Sequence, residues 1–405
     1  MIPCLAGTSL EFVCEGKTKT TMCSLSWAVL LVLVPCVLCQ SLDQTRVSGA
    51  SGSEVVRAVV NLIHESCIFK HDKLFLRRLA FVKSVDGTDP KAFLPNSGGI
   101  WQVNTTQFTQ IIGSTSAVNL FPSIKSHFGI DWQRVTMDDL KKPLFSGIGA
   151  ALLMTMVNEE VPRSVEKQSA YYFRHFDSDT NAAHTFYTTA TQLPNACKMS
   201  NLDLAFLVDT SASLSVTDFQ KAKRFASTMI DSFTIGPGGV QVSFVTFSTG
   251  FKVHFNLNDH HTRRDIKDAI ARVPYTTGAT DTGAALAYVS HNVFMSATGA
   301  RPDASKVVIL VTDGRSTDHS KAVQAAQEAK KKGILIFAIG VGNKTFSDEL
   351  NELATEPNCT HVIQLLGYGD LDALIDEIRQ ESCKAGSESL DLCSSNPDDK
   401  VSFVH

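Results

Sequence analysis

The sequence predicts an α/β protein: a doubly wound, mostly parallel sheet with helices on both faces, preceded by a smaller, mainly helical domain. Three observations predict it. At 405 residues the chain is about twice the length of one ordinary domain. From Glu54 to about Leu193, apolar residues recur at three- and four-residue spacing. After Pro194, unbroken apolar runs of strand length alternate with amphipathic helices, the pattern of a parallel sheet covered on both faces.

The elements follow in order. Leu25 to Leu38 is a 14-residue apolar run, too short to span a bilayer comfortably and of the length of a secretory h-region. Residues 1–39 are therefore expected to be a signal peptide with an extended N-terminus, Met22 being the more natural start. Cys36 and Cys39 belong to that h-region, Cys39 directly after the run, and are dismissed as a redox or metal motif. Residues 40–53 are small and polar and read as a flexible leader. The helical domain, 54–193, holds VVRAVVNLIHES, DKLFLRRLAFVKSV, the buried-helix pattern LFSGIGAALLMTMV and VEKQSAYYFRHF. A Gly-, Pro- and Asp-rich loop, DGTDPKAFLPNSGG, separates the second from the third. In the second domain, 197–383, the strand runs are LDLAFLV, VQVSFVTF, FKVHF, KVVILV, ILIFAIGV and HVIQL. Helices are expected near Thr217–Phe233, Thr262–Arg272, Asp281–Phe294, Ser320–Lys332, Ser347–Ala354 and Asp370–Glu381. Residues 384–405 form a polar tail.

Hydrophobic residues make up 43% and charged residues 19%, a foldable balance, and the net charge is −4. With no basic surplus in either domain, nucleic acid is excluded as the main partner. No stretch after the first apolar run is long enough for a membrane span.

The chemistry concentrates at one sheet edge. The first strand runs into Asp209-Thr210-Ser211-Ala212-Ser213, with oxygen side chains at alternate positions. Ligands bind outside the carboxyl ends of strands in open α/β sheets. Two further oxygen-rich loops, Gly278 to Gly283 and Thr312-Asp313-Gly314, belong to the same edge. Asp209, Ser211, Ser213, Thr280 and Asp313 can thus surround one small ion. Hydroxyls with only two carboxylates suit a hard cation, Mg²⁺ or Mn²⁺, in octahedral geometry. Such an ion keeps a position free for an Asp or Glu from a protein partner, and no base or nucleophile for turnover accompanies it.

These residues carry a resemblance. Asp203–Cys383 resembles the von Willebrand factor type A domain, and DTSAS, Thr280 in ATDTG and TDGRSTD resemble the three elements of its metal-ion-dependent adhesion site. Asp281 stands where many members of that family have Asn. The resemblance implies a secreted adhesion or extracellular-matrix protein that binds protein ligands through a divalent ion. It also implies a Cys197–Cys383 disulfide closing the domain, in keeping with the usual closeness of domain termini.

In the helical domain, LAFVKS (79–84) followed by GGIWQV (98–103) resembles the A-x-x-E-S and G-x-x-Q-[IV] pattern of lysozyme-like lytic transglycosylases. The acid of that pattern is replaced by Lys83. Glycoside cleavage needs a carboxylic acid to protonate the leaving oxygen, so the resemblance implies a scaffold without turnover, and no catalytic residue is assigned. The alternative reading is a secreted glycan-binding or glycosidase-like defence protein acting through this domain. Trp101 could stack on a sugar, though a core position is the commoner role for Trp, and Asp86 and Asp89 are expected to serve the turn.

Five cysteines follow residue 39. Beyond the Cys197–Cys383 pair, Cys359 reads as a buried thiol, and Cys393 could reach Cys67, reach Cys359 or link two chains. Sequons at Asn104, Asn343 and Asn358 are expected glycosylation sites consistent with secretion. His64, His71, His260 and His261 have no metal-ligand spacing.

Overall fold

The computed structural model describes residues 43–69, 72–193, 201–342, 347–379 and 382. The signal peptide, Cys197, Asn343, Cys383, Cys393 and the tail lie outside the described residues.

The first half is built of helices α1 (Ser53–Glu65), α2 (Phe75–Ser84), α3 (Thr105–Gly113), α4 (Phe121–Phe128), α5 (Pro143–Met156), α6 (Val165–His175) and α7 (Ala182–Ala190). α5 is apolar around most of its circumference and runs through one core with Val59, Phe75, Trp101, Trp132 and Phe186. The loop expected at residues 86–99 holds only the helical turn Pro90–Phe93, and the short helices α3 and α4 follow it, before α5. Asn104 starts α3 with a capping box: its side chain accepts from the Gln107 backbone N–H while Gln107 accepts from the Asn104 N–H.

Residues 43–53 are not a flexible leader. Gln44–Arg46 form a helical turn, Thr45 is buried, and the Arg46 guanidinium donates to the Phe128 carbonyl at 2.8 Å. Gly49 and Gly52 donate to the carbonyls of Lys141 and Asp86. Asp86 does more than serve a turn: it is buried and takes two charge-assisted hydrogen bonds from Arg77, at 2.5 and 2.8 Å. Asp89 does cap a turn, accepting from the Lys91 N–H. Trp101 is a core residue, 2% exposed, whose indole N–H donates to the Leu76 carbonyl, so it is not placed to stack on a sugar.

The second half is a six-stranded sheet in the order β3-β2-β1-β4-β5-β6. The strands are β1 (Leu202–Asp209), β2 (Val240–Phe247), β3 (Phe251–Phe255), β4 (Ser305–Thr312), β5 (Ile334–Val341) and β6 (Val362–Leu365). All pairs are parallel except the edge hairpin β2–β3. Alternate residues of β1 face opposite sides. Leu204, Phe206 and Val208 pack with α8 (Val216–Asp231), α9 (Arg263–Ala271) and the C-terminal segment from Tyr368 to Ile378. Ala205 and Leu207 pack with α10 (Thr282–Tyr288) and α11 (His319–Lys331). A further helix, α12 (Ser347–Leu353), follows β5. α10 and α11 approach so closely that a Cβ on Gly283 would lie 2.9 Å from the Ala322 nitrogen. The expected helix over 281–294 continues past α10 as a π-turn at Val289–Val293.

The two halves are covalently joined. Cys67, just after α1, forms a disulfide with Cys359, in the helical turn Asn358–His361, across a Cα–Cα distance of 5.8 Å. Cys359 is thus not a buried thiol, and neither of these cysteines remains for Cys393. Arg163 pairs with Glu377 at 2.5 Å and Arg78 with Asp376 at 3.3 Å, adding charge contacts between the halves.

Candidate metal centre

Three loops meet at the carboxyl ends of β1 and β4. Asp209, the last residue of β1, is fully buried. One of its carboxylate oxygens accepts from the Ser211 N–H at 2.7 Å, the other from the Thr312 hydroxyl at 2.7 Å. The chain of contacts continues outward. The Ser211 and Ser213 hydroxyls lie 3.0 Å apart, and Ser213 donates to Asp313 at 2.7 Å. Four of the five expected ligands are therefore connected by hydrogen bonds from buried carboxylate to half-buried carboxylate.

Thr280 is brought to the same edge through its backbone. Its N–H donates to the Thr317 hydroxyl at 3.1 Å, and the Thr317 N–H donates to the Thr280 carbonyl at 2.8 Å. The Thr280 loop is also tied to the first loop, because the Ala212 N–H donates to the Gly278 carbonyl. Ser316, in the Asp313 loop, donates through both backbone and hydroxyl to the buried Glu349 of α12, at 2.8 and 2.5 Å. These bonds hold the three loops in register before any ion arrives.

The electrostatics favour a cation. Burial pushes the Asp209 carboxyl up to about 6, and the nearby Asp313 charge adds to this. The Ser211 and Thr312 donors oppose it. Two carboxylates, one without access to water, gain most from a positive neighbour. The donor atoms are all oxygen, so the residues fit a hard divalent ion. Asp281 does not join them: it caps α10 by accepting from the Ala284 N–H at 3.0 Å, and Lys321 lies 3.7 Å from it.

The sequence places Thr312 in the Thr312-Asp313-Gly314 loop at this edge and Thr317 in TDGRSTD, but it assigns neither a role. The signal for Thr312 lay in strand alignment: Val208 pairs with Val311, which sets Thr312 beside Asp209. Thr317 gave no comparable signal.

Elsewhere, no group of three or more His, Cys, Asp or Glu among the described residues is placed to hold a metal. His64 meets Asp72 at 2.6 Å instead. Lys83 is 3.6 Å from Asp177 and 5.2 Å from the Tyr172 ring centre, and Tyr172 donates to Asp177 at 3.0 Å. Burial lowers the Lys83 pKa, with Asp177 opposing. Of the expected glycosylation sites, Asn104 is exposed but engaged as a helix cap, while Asn358 is half-buried and its sequon Thr360 is buried, donating to the Pro357 carbonyl.

A family model of the von Willebrand factor type A domain matches residues 203–377. Matrilin-1 of Homo sapiens is 38% identical over 184 residues, covering 45% of this chain and 36% of that protein. Matrilin-3 of Gallus gallus is 35% identical over 198 residues, covering 48% of this chain and 43% of that protein. Among solved structures, proximal thread matrix protein 1 from the mussel byssus, with a zinc-occupied MIDAS motif, is 31% identical. That match covers 46% of this chain and 48% of that one, at a TM-score of 0.44. The chain thus spans less than half the length of these matrilins. Among the described residues, no helix is long and apolar enough to cross a membrane.

Proposed function

We propose that this chain is a secreted, non-enzymatic adhesion protein of the extracellular matrix that binds a protein ligand through a divalent cation. Asp209, Ser211, Ser213, Thr280 and Asp313 hold the ion, Mg²⁺ or Mn²⁺, and the partner supplies an Asp or Glu to its free position. The observation that carries this reading is the hydrogen-bonded chain from Asp209 through Ser211 and Ser213 to Asp313. With only two carboxylates the ion keeps enough positive charge to draw a third from outside. Similarity to matrilins over the type A domain supports an extracellular-matrix setting. Secretion through a cleaved signal peptide, the Cys197–Cys383 closure and glycan at Asn104, Asn343 or Asn358 belong to the same proposal.

The helical half acts as a lysozyme-like scaffold without turnover. Its support is local: the Ser84 hydroxyl donates to the Ile100 carbonyl at 2.7 Å, joining the two halves of the LAFVKS and GGIWQV pattern, while Lys83 occupies the acid position beside Asp177. A glycan bound there without cleavage is compatible with this role.

Solid-phase binding of the purified full chain to immobilised matrix proteins, with Mg²⁺ and with EDTA, tests the proposal. Binding that EDTA abolishes and Mg²⁺ restores is the expected result. Equal binding in both conditions contradicts a metal-bridged contact.

A further inference from the structure

A cavity of about 260 Å³ lies at the junction of the two halves. Its floor is apolar and comes from the helical half: Ile63 of α1, Leu76 of α2, Ala151 and Met154 of α5, and Val157 and Val161 beyond it. Cys359 and Thr360 of the α/β half complete the wall, beside the Cys67–Cys359 disulfide. The Glu160 side chain, 85% exposed, marks where the cavity reaches the surface. The polar side chains of the wall are already paired within the protein. Asp72 meets His64 at 2.6 Å and accepts from the Leu76 N–H at 2.6 Å, and Lys73 lies 3.3 Å from Glu160. Glu159 pairs with Arg174 and His175 at 2.5 and 2.8 Å. The Thr155 and Thr360 hydroxyls donate to the carbonyls of Ala151 and Pro357. The wall therefore presents apolar surface, with its polar groups already engaged.

We infer that this cavity is a binding site for a small, neutral, apolar molecule of one or two rings, or an alkyl chain of that bulk. An apolar cavity of about 150 Å³ suffices for benzene, so this one admits a larger ring system. Small-molecule sites are concave, mostly apolar and frequent at domain junctions. Burying such a molecule takes its surface and that of the floor out of water, which is favourable in proportion to the area removed. A charged ligand gains nothing here: it must break one of the wall's ion pairs or lose its own hydration without a partner. A sugar fails for the same reason, since its hydroxyls would go unmatched. The site is separate from the metal edge, because the turn that carries Cys359 and Thr360 precedes β6 and so lies at the amino ends of the parallel strands. A molecule bound there touches both halves and adds to the contacts that hold them together.

The test uses the full chain and three probes that share one ring system: naphthalene, naphthalenesulfonate and naphthylmethylammonium. Fluorescence titration is expected to show saturable, one-to-one naphthalene binding that EDTA leaves unchanged, and binding at least about tenfold weaker for both charged probes. Naphthalene should also raise the wild-type melting temperature, as a ligand of the folded state does. Ala151→Leu and Val157→Phe fill the cavity from two positions, and each should weaken naphthalene binding by about tenfold or more, with circular dichroism confirming that the variant is folded. No saturable binding in wild type, equal binding in a folded filled variant, or charged probes that bind as well as naphthalene overturns the inference. Binding that EDTA abolishes overturns it too, because it places the site at the metal edge.

Discussion

The two halves of the molecule are held in shape by different means. Among the described residues, every non-glycine residue with positive φ lies between Cys67 and Gln102, in the helical half, and the α/β half has none. Leu74 and Val85 flank α2 in left-handed conformations, and the buried Arg77–Asp86 pair locks the turn that follows it. Gly99, at φ +74°, lies so close to the Leu140 carbonyl that a Cβ would meet its oxygen at 1.9 Å. This half depends on particular loops. The α/β half depends on a repeated pattern instead, apolar strands between helices, and places its irregular, polar residues at the loop ends where the ion is proposed to sit. Backbone strain is a structural device of the first half, whereas in the second the fully buried Asp209 carboxylate lies at the end of β1, where the ion is proposed to sit.

The disulfide between Cys67 and Cys359 crosses that division, and removing it is the strongest way to break the comparison. It closes a separation of 292 residues, and the chain-entropy model assigns such a loop on the order of 5 kcal/mol. Cys67→Ser with Cys359→Ser should let the loop-dependent helical half unfold at lower denaturant than the α/β half. Chemical denaturation followed by far- and near-ultraviolet circular dichroism checks this. Unchanged, coincident transitions would show that the ion pairs Arg163–Glu377 and Arg78–Asp376 suffice to couple the halves.

Asp86→Ala sharpens the contrast within the helical half. It leaves the buried Arg77 guanidinium without its partner, at a cost of about 3–5 kcal/mol. The variant should lose helical-half stability while its Mg²⁺ affinity stays that of wild type, as thermal melting and calorimetry on the same samples would show.

A smaller effect belongs to pH at the metal edge. Asp209 has its folded pKa raised to about 6 from an ordinary value of 3.8. A group raised in this way binds its proton more tightly when folded, so the metal-free fold loses stability as pH rises from about 4 through 6. The cation competes with that proton. Mg²⁺ affinity should therefore be level above about pH 6 and fall roughly tenfold per unit below it. Calorimetric titrations between pH 5 and pH 7.5 would reveal the break, and a flat profile would show that Asp209 is ionised throughout.

The same division explains what the sequence discloses. Each strand of the α/β half is a short run rich in Val, Ile, Leu and Phe, so β2, β3 and β5 fall on the residues expected. Asp209, Ser211, Ser213 and Asp313 are legible because they follow those runs at once. The bond from Thr312 to Asp209 needed the register between β1 and β4. In the helical half, α3, α4 and α7 are short, and α3 and α4 sit within the loop-rich middle of the domain, where their period is hard to see. The Cys67–Cys359 pair joins the ends of two unrelated elements, and no spacing in the sequence encodes that meeting.

The central claim is that Asp209 and its hydrogen-bonded neighbours hold the divalent ion through which the protein binds. Calorimetric titration of Mg²⁺ into the full chain and into Asp209→Ala, with circular dichroism to confirm that both are folded, tests it most directly. Saturable binding in wild type that is lost in a folded Asp209→Ala is the predicted result. Equal Mg²⁺ binding by the two proteins would contradict it.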